Sequence, residues 1–192
     1  MARWSQLRAG WPDREIHLFG AGVDSGTYDY FTEVIVGKQH SSRGDYTSSE
    51  DDNVLVQGIA TDPLALGFFG LAYYEQNRDR LKLVAIDDGN PANGSGPILP
   101  TAETVANSTY QPLSRPIFIY VSRAAVNRPD VQEFVRFYLT DGRPLVEEVG
   151  YVRLPDAVYD AGLKRFEARR TGSAVAGRGS LAGVALDRLV LP

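Results

Sequence analysis

Residues 20–27 read Gly-Ala-Gly-Val-Asp-Ser-Gly-Thr, a run of glycines interrupted by short polar side chains. Such a run does not belong inside a helix or a strand. Glycine loses the most conformational freedom there, and Ser, Thr and Asp compete for backbone groups. The flanks on either side follow different periods. Residues 15–20 (Glu-Ile-His-Leu-Phe-Gly) suit a short strand ending in Gly. Residues 27–36 place Tyr28, Phe31, Val34 and Ile35 at helical spacing, and Gly37 suits a C-cap. Strand, tight turn and helix form the repeating unit of an α/β fold.

The chain continues in that idiom. Residues 39–49 are polar and loop-like. Ser49-Glu50-Asp51-Asp52 offers a capping residue followed by acids, and Val54, Leu55 and Ile59 fit one helix face, broken at Asp62-Pro63. Strands are expected at 65–70 and 81–86, with a helix at 71–80 between them. A Gly/Pro/Asn/Asp-dense loop covers 87–100, a short helix 101–106, and the strongest strand pattern is Pro-Ile-Phe-Ile-Tyr-Val-Ser at 116–122. Helical patterns follow at 129–139, 144–149 and 155–169, each with Pro near its start. Residues 171–183 read as an extended or loose tail. Strands and helices thus mix up to residue 122, and the remainder is helical.

Composition narrows the function classes. With 20 Lys+Arg against 24 Asp+Glu the net charge is −4, the wrong sign for a nucleic-acid binder. The 192 residues, 43% hydrophobic, suit one domain or slightly more. There is no cysteine, hence no thiolate nucleophile or thiolate metal site, and two histidines, His17 and His40, leave little room for a histidine-ligated metal. No cofactor or metal is expected. No window approaches 18 consecutive apolar residues. The first residues, Met1-Ala2-Arg3-Trp4, lack the charged-then-apolar pattern of a signal peptide.

Two clusters carry candidate chemistry. Ser25-Gly26-Thr27 at a strand-to-helix turn offers hydroxyls and free amides at the positive end of a helix, a combination that binds oxyanions. A plain capped turn explains the same residues, and the pattern leaves the two open. The turn lacks the Lys of a P-loop and the spacing of a dinucleotide fingerprint. Asp24-Ser25-Gly26-Thr27 also matches the D-[ST]-G-[ST] signature of aspartic proteases, but that hydrolase chemistry needs a second Asp in an all-β fold. The other cluster is Ser41–Thr47, in which Arg43 could clamp an oxyanion and Asp45 could accept a hydrogen bond from a protonated one. A solvated polar loop is the plainer reading. Glu50, Asp51 and Asp52 read as first-turn acids rather than metal ligands. The sequons at Asn93 and Asn107 are short enough to arise by chance.

Four stretches bear a family likeness. Residues 18–33 (Leu-Phe-Gly-Ala-Gly-Val-Asp-Ser-Gly-Thr-Tyr-Asp-Tyr-Phe-Thr-Glu), residues 45–58 beginning Asp-Tyr-Thr-Ser-Ser-Glu-Asp-Asp-Asn, residues 65–70 (Ala-Leu-Gly-Phe-Phe-Gly) and residues 112–121 (Pro-Leu-Ser-Arg-Pro-Ile-Phe-Ile-Tyr-Val) are collinear. Together they resemble the periplasmic phosphate-binding proteins of ABC phosphate importers, in the type II periplasmic-binding-protein superfamily. The likeness extends over most of residues 4–170.

The resemblance implies an α/β lobe with a mixed sheet flanked by helices, followed by a mostly helical C-terminal portion. Residues 1–121 would be the second lobe and residues 122–192 the segment returning to a first lobe whose N-terminal part the chain lacks. It implies reversible, non-enzymatic capture of inorganic phosphate, or of another oxyanion on the same fold, and delivery to ABC permease subunits. It also implies a periplasmic or extracellular location. Ser25, Gly26 and Thr27, with Asp24 beside them, would form the phosphate-binding helix N-terminus. Many relatives carry an Arg a few residues earlier, where Ala21 and Gly22 stand here, so Arg43 is the candidate replacement and Asp45 its neighbour.

Overall fold

The change of period at the glycine-rich turn is realised in the structure, a computed structural model that describes residues 2–172. β1 (His17–Ala21) runs into the turn and α1 (Gly26–Val36) leaves it. Gly37, at φ 77°, occupies the left-handed region and closes the helix by donating to the Glu33 carbonyl. β2 (Thr47–Ser49), α2 (Asp52–Thr61), β3 (Ala65–Phe68) and α3 (Leu71–Glu75) follow. The chain divides into two compact units between Leu83 and Val84, so all of these elements lie in the first.

The sheet order is β2–β1–β3, with β1 parallel to both neighbours. All three strands are therefore parallel where a mixed sheet was expected, because each connection crosses over through a helix. Phe19 pairs with Thr47 on one side and Gly67 on the other. Successive side chains on a strand point to opposite faces, and β1 uses this fully. Gly20 lies against the Phe68 ring, which stacks on Phe31 of α1 with centroids 3.8 Å apart. Phe19 lies against Gly58 of α2, where a Cβ would overlap its ring. The two helices thus cover opposite faces. This is what right-handed crossovers require when the chain steps first to one side of β1 and then to the other. Ala21, Tyr28, Thr32, Leu55 and Val56 are buried between these layers.

Several boundaries differ from the sequence reading. β2 falls inside the expected loop 39–49, because its Thr-Ser-Ser has no apolar alternation to reveal it. With Ser49 in the sheet, the cap of α2 moves to Asp51, whose carboxylate accepts the Asn53 amide at 2.9 Å. Helix 71–80 stops at Glu75, where Asn77 turns its side-chain amide to the Tyr73 carbonyl at 2.9 Å. The strand expected at 81–86 is reduced to a single bridge between Ile86 and Ile98.

In the second unit α4 (Ala102–Ala106) starts on a Thr101–Thr104 capping box. α5 (Pro129–Leu139) has Pro at its first position. α6 (Leu145–Glu148) is short, and α7 (Asp156–Glu167) packs on α5. Arg143 ties this pair together. It donates to the Leu139 carbonyl at 2.7 Å and to Asp156 and Asp160 at 3.2 and 2.6 Å, and it lies over the Tyr159 ring. Residues 116–122, the strongest strand pattern, form no strand among the described residues, and Ile117 and Tyr120 stand 62% and 78% exposed. Apolar, β-branched composition suits a strand, but a ladder needs a neighbouring edge, and that is no property of the segment itself. The expected tail 171–183 lies outside the described residues from 173 onward.

Candidate functional site

All three strands point their C-terminal ends to one edge of the sheet, and each runs into a helix start. Ala21 leads to Ser25, the N-cap of α1; Ser49 leads to Asp51, the N-cap of α2; Phe68 leads to Gly70, the N-cap of α3. Ligands of open parallel sheets bind outside this edge, where the strand order reverses. β1, flanked on both sides, marks that reversal.

Asp24, Ser25, Gly26 and Thr27 form the β1–α1 turn and the start of α1. Ser25 Oγ accepts the Thr27 amide at 3.2 Å, and the Asp29 amide makes the first helical bond to the Ser25 carbonyl at 3.1 Å. The Gly26 and Tyr28 amides also head the helix, where no earlier turn supplies a carbonyl. Ser25 thus caps one amide, and the other amides of the first turn carry the positive end of the helix dipole.

One participant escaped the sequence reading. The Asp24 amide donates to Glu50 Oε1 at 3.2 Å, and the Glu50 carboxyl lies so close to Gly22 that a Cβ there would overlap it. Glu50 is carried by the two bonds that fix the β2–α2 junction: Gly22 donates to the Ser49 carbonyl, and Asp51 to Ser49 Oγ, both at 3.0 Å. Next to it Asp52 accepts the Gly70 amide at 3.3 Å, joining the starts of α2 and α3. Burial raises the Asp52 pKa, and the Gly70 hydrogen bond opposes that rise. The edge is thus lined by carboxylates (Asp24, Glu50, Asp51 and Asp52) as well as by helix starts.

Arg43 and Asp45 are brought together, but with each other. Arg43 Nη2 donates to Asp45 Oδ2 at 2.5 Å, and Arg43 Nε to Oδ1, a two-pronged pair exposed to solvent. The Arg43 hydrogen bonds draw the Asp45 pKa down to about 2. Their loop is tied to the first turn of α1 through Tyr28 and Ser42, whose hydroxyls lie 2.8 Å apart. Tyr46 reaches the other way, donating to the Ala21 carbonyl at 3.4 Å. Among the described residues no group of three or more His, Asp or Glu side chains is placed to hold a metal ion, and no helix is long and apolar enough to cross a membrane.

A family model described as "PBP superfamily domain" matches residues 2–142. The chain belongs to this superfamily. Protein SphX of Synechococcus elongatus is 44% identical over 187 residues, which cover 97% of this chain and 54% of that protein. Phosphate-binding protein PstS of Staphylococcus haemolyticus is 35% identical over 162 residues, 84% of this chain and 49% of that one. The chain therefore spans about half the length of these curated relatives. Among solved structures, a possible phosphate binding protein from Planctomyces limnophilus superposes with a TM-score of 0.72 at 44% identity, covering 89% of this chain and 60% of that one. PstS from Borrelia burgdorferi, at 21% identity and TM-score 0.56, shares the fold. Within the superfamily, Asp24 stands exposed on an α/β turn, a setting unlike the all-β fold of aspartic proteases.

Proposed function

We propose that this chain forms one wall of an inorganic-phosphate site and acts as, or within, the solute-binding component of an ABC phosphate importer. The observation that carries the reading is the position of Ser25-Gly26-Thr27: a helix start at the ligand edge of a parallel sheet, in a chain 44% identical to a possible phosphate binding protein. Amides of the first turn and the Ser25 and Thr27 hydroxyls are uncharged donors. They hold an oxyanion by hydrogen bonds and release it without bond making or breaking, so the activity is capture rather than catalysis. Arg43 adds a fork of donors when it leaves Asp45, and Asp45 then accepts from a protonated oxyanion.

As an assignment of roles, residues 1–121 carry the ligand wall and residues 122–192 return to the opposite lobe. The partners are phosphate and permease subunits, and the place of work is the periplasmic or extracellular side of a membrane. A single wall excludes little water, so its electrostatic interactions stay close to their aqueous strength. Titration of the chain with phosphate should give a dissociation constant in the high-micromolar to millimolar range, about −4 to −5.5 kcal/mol. Sulfate and molybdate titrations test the other-oxyanion reading. Absence of phosphate binding, or equal binding after Ser25→Ala with Thr27→Ala, overturns the proposal.

A further inference from the structure

We propose that Glu50 is a built-in competitor for the oxyanion at the β1–α1 turn, an inference that rests on the phosphate reading above. Its backbone has little freedom: Ser49 is held by the Gly22 amide on one side, and Asp51 caps α2 on the other. The side chain lies over Gly22, and its Oε1 accepts the Asp24 amide at 3.2 Å. Gly22 is not in the left-handed backbone region. What its missing side chain provides is therefore room, and the carboxyl of Glu50 fills it.

The consequence is electrostatic. Glu50 places a negative charge on the turn whose Gly26 amide, two residues beyond Asp24, is offered to the ligand. An incoming oxyanion meets a like charge, and its binding is coupled to withdrawal of Glu50 from the Asp24 amide. Glu50 is an exposed residue whose carboxylate is joined to the turn by one neutral donor, so it can swing into water at small cost. Glu50 thus lowers affinity in the free protein and favours release, a useful property in a protein that must hand its ligand on.

Two substitutions separate this role from simple structural support. Glu50→Gln keeps the length and an oxygen acceptor for Asp24 while removing the charge. Gly22→Ala leaves residue 50 intact but puts a Cβ where its carboxyl lies, and a flexible side-chain end can yield to it. In calorimetric titrations with inorganic phosphate, Glu50→Gln should bind roughly five- to tenfold more tightly than wild type, the effect of lifting one charge from a solvent-exposed site. Gly22→Ala should also bind more tightly, and the double variant no more tightly than the better single one. Wild-type binding with unchanged or weaker binding by Glu50→Gln overturns the competitor role and leaves the phosphate reading standing. No binding by any of the four proteins overturns both. If Gly22→Ala fails to fold by circular dichroism, Glu50→Gln decides alone.

Discussion

Arg43 and Asp45 face each other across one residue, with Arg43 Nη2 2.5 Å from Asp45 Oδ2, and so neutralise each other at the surface. The pair leaves the Arg43 charge compensated by its neighbour in the loop. It also predicts a titration. Asp45 has its pKa drawn down to about 2 by the Arg43 hydrogen bonds, against an ordinary value near 3.9. A depressed carboxylate contributes stability above its unfolded pKa and loses it as pH falls through the folded one, so the window runs from about pH 4 to about pH 2. In a carbon-detected NMR titration the Asp45 carboxyl should have its midpoint near 2 in wild type and shift upward in Arg43→Ala. An unchanged midpoint would show that the pair is not formed in solution.

The same pairing bears on binding. Arg43→Ala should weaken phosphate binding, and Asp45→Asn should release the guanidinium from its partner. In Asp45→Asn the sulfate-to-phosphate affinity ratio should rise, because a carboxylate repels a fully deprotonated anion and an amide does not. Titrations of both variants with both anions check this, and a ratio identical to wild type contradicts the role given to Asp45.

Ser25 has two functions that its replacements can split. Ala removes both the cap and the ligand hydroxyl and should cost about 1 kcal/mol of stability, whereas Gly removes the hydroxyl but costs only a few tenths. Chemical denaturation should therefore separate Ser25→Ala from Ser25→Gly while phosphate titration gives similar losses for both. If binding loss instead follows stability loss, Ser25 serves the helix alone.

How much of this was legible in the sequence depended on distance along the chain. Residues 15–37 were readable because the hydrophobic period changes across a turn that only glycine and short polar residues tolerate. Phe31 and Val34 were readable as one helix face for the same reason. Thr47–Ser49 was not, since three polar residues carry no period and gain their strand only from β1. Residues 116–122 were over-read, because apolar content is silent on pairing and here does not even coincide with burial. Glu50 was read as a helix acid because its contact with Gly22 and Asp24 joins two loops 26 residues apart, and no local pattern encodes that.

The bond between Tyr28 and Ser42 should act as a unit. Tyr28 is 3% exposed and Ser42 is its hydroxyl partner at 2.8 Å, the tie between α1 and the Arg43 loop. Tyr28→Phe and Ser42→Ala should each cost about 1 kcal/mol, and the double variant scarcely more than either single one. Additive stability losses in the double-mutant cycle would show that the two hydroxyls act independently.

Gly58 gives the sharpest test of the fold. It sits inside α2, where Ala would ordinarily improve the helix by about 1 kcal/mol. Here a Cβ would overlap the Phe19 ring on β1, whose carbonyl and Cβ lie beside Gly67 of β3. The Phe19 backbone is fixed in the sheet between two strands, so overpacking, typically costing about 1–3 kcal/mol, should outweigh the propensity gain. Gly58→Ala should therefore lower the denaturation midpoint, and Phe19→Leu in the same chain should restore part of it by vacating the space. A Gly58→Ala variant more stable than wild type would mean that α2 does not lie on the Phe19 face of the sheet, and the opposite-face placement of α1 and α2 would fall with it.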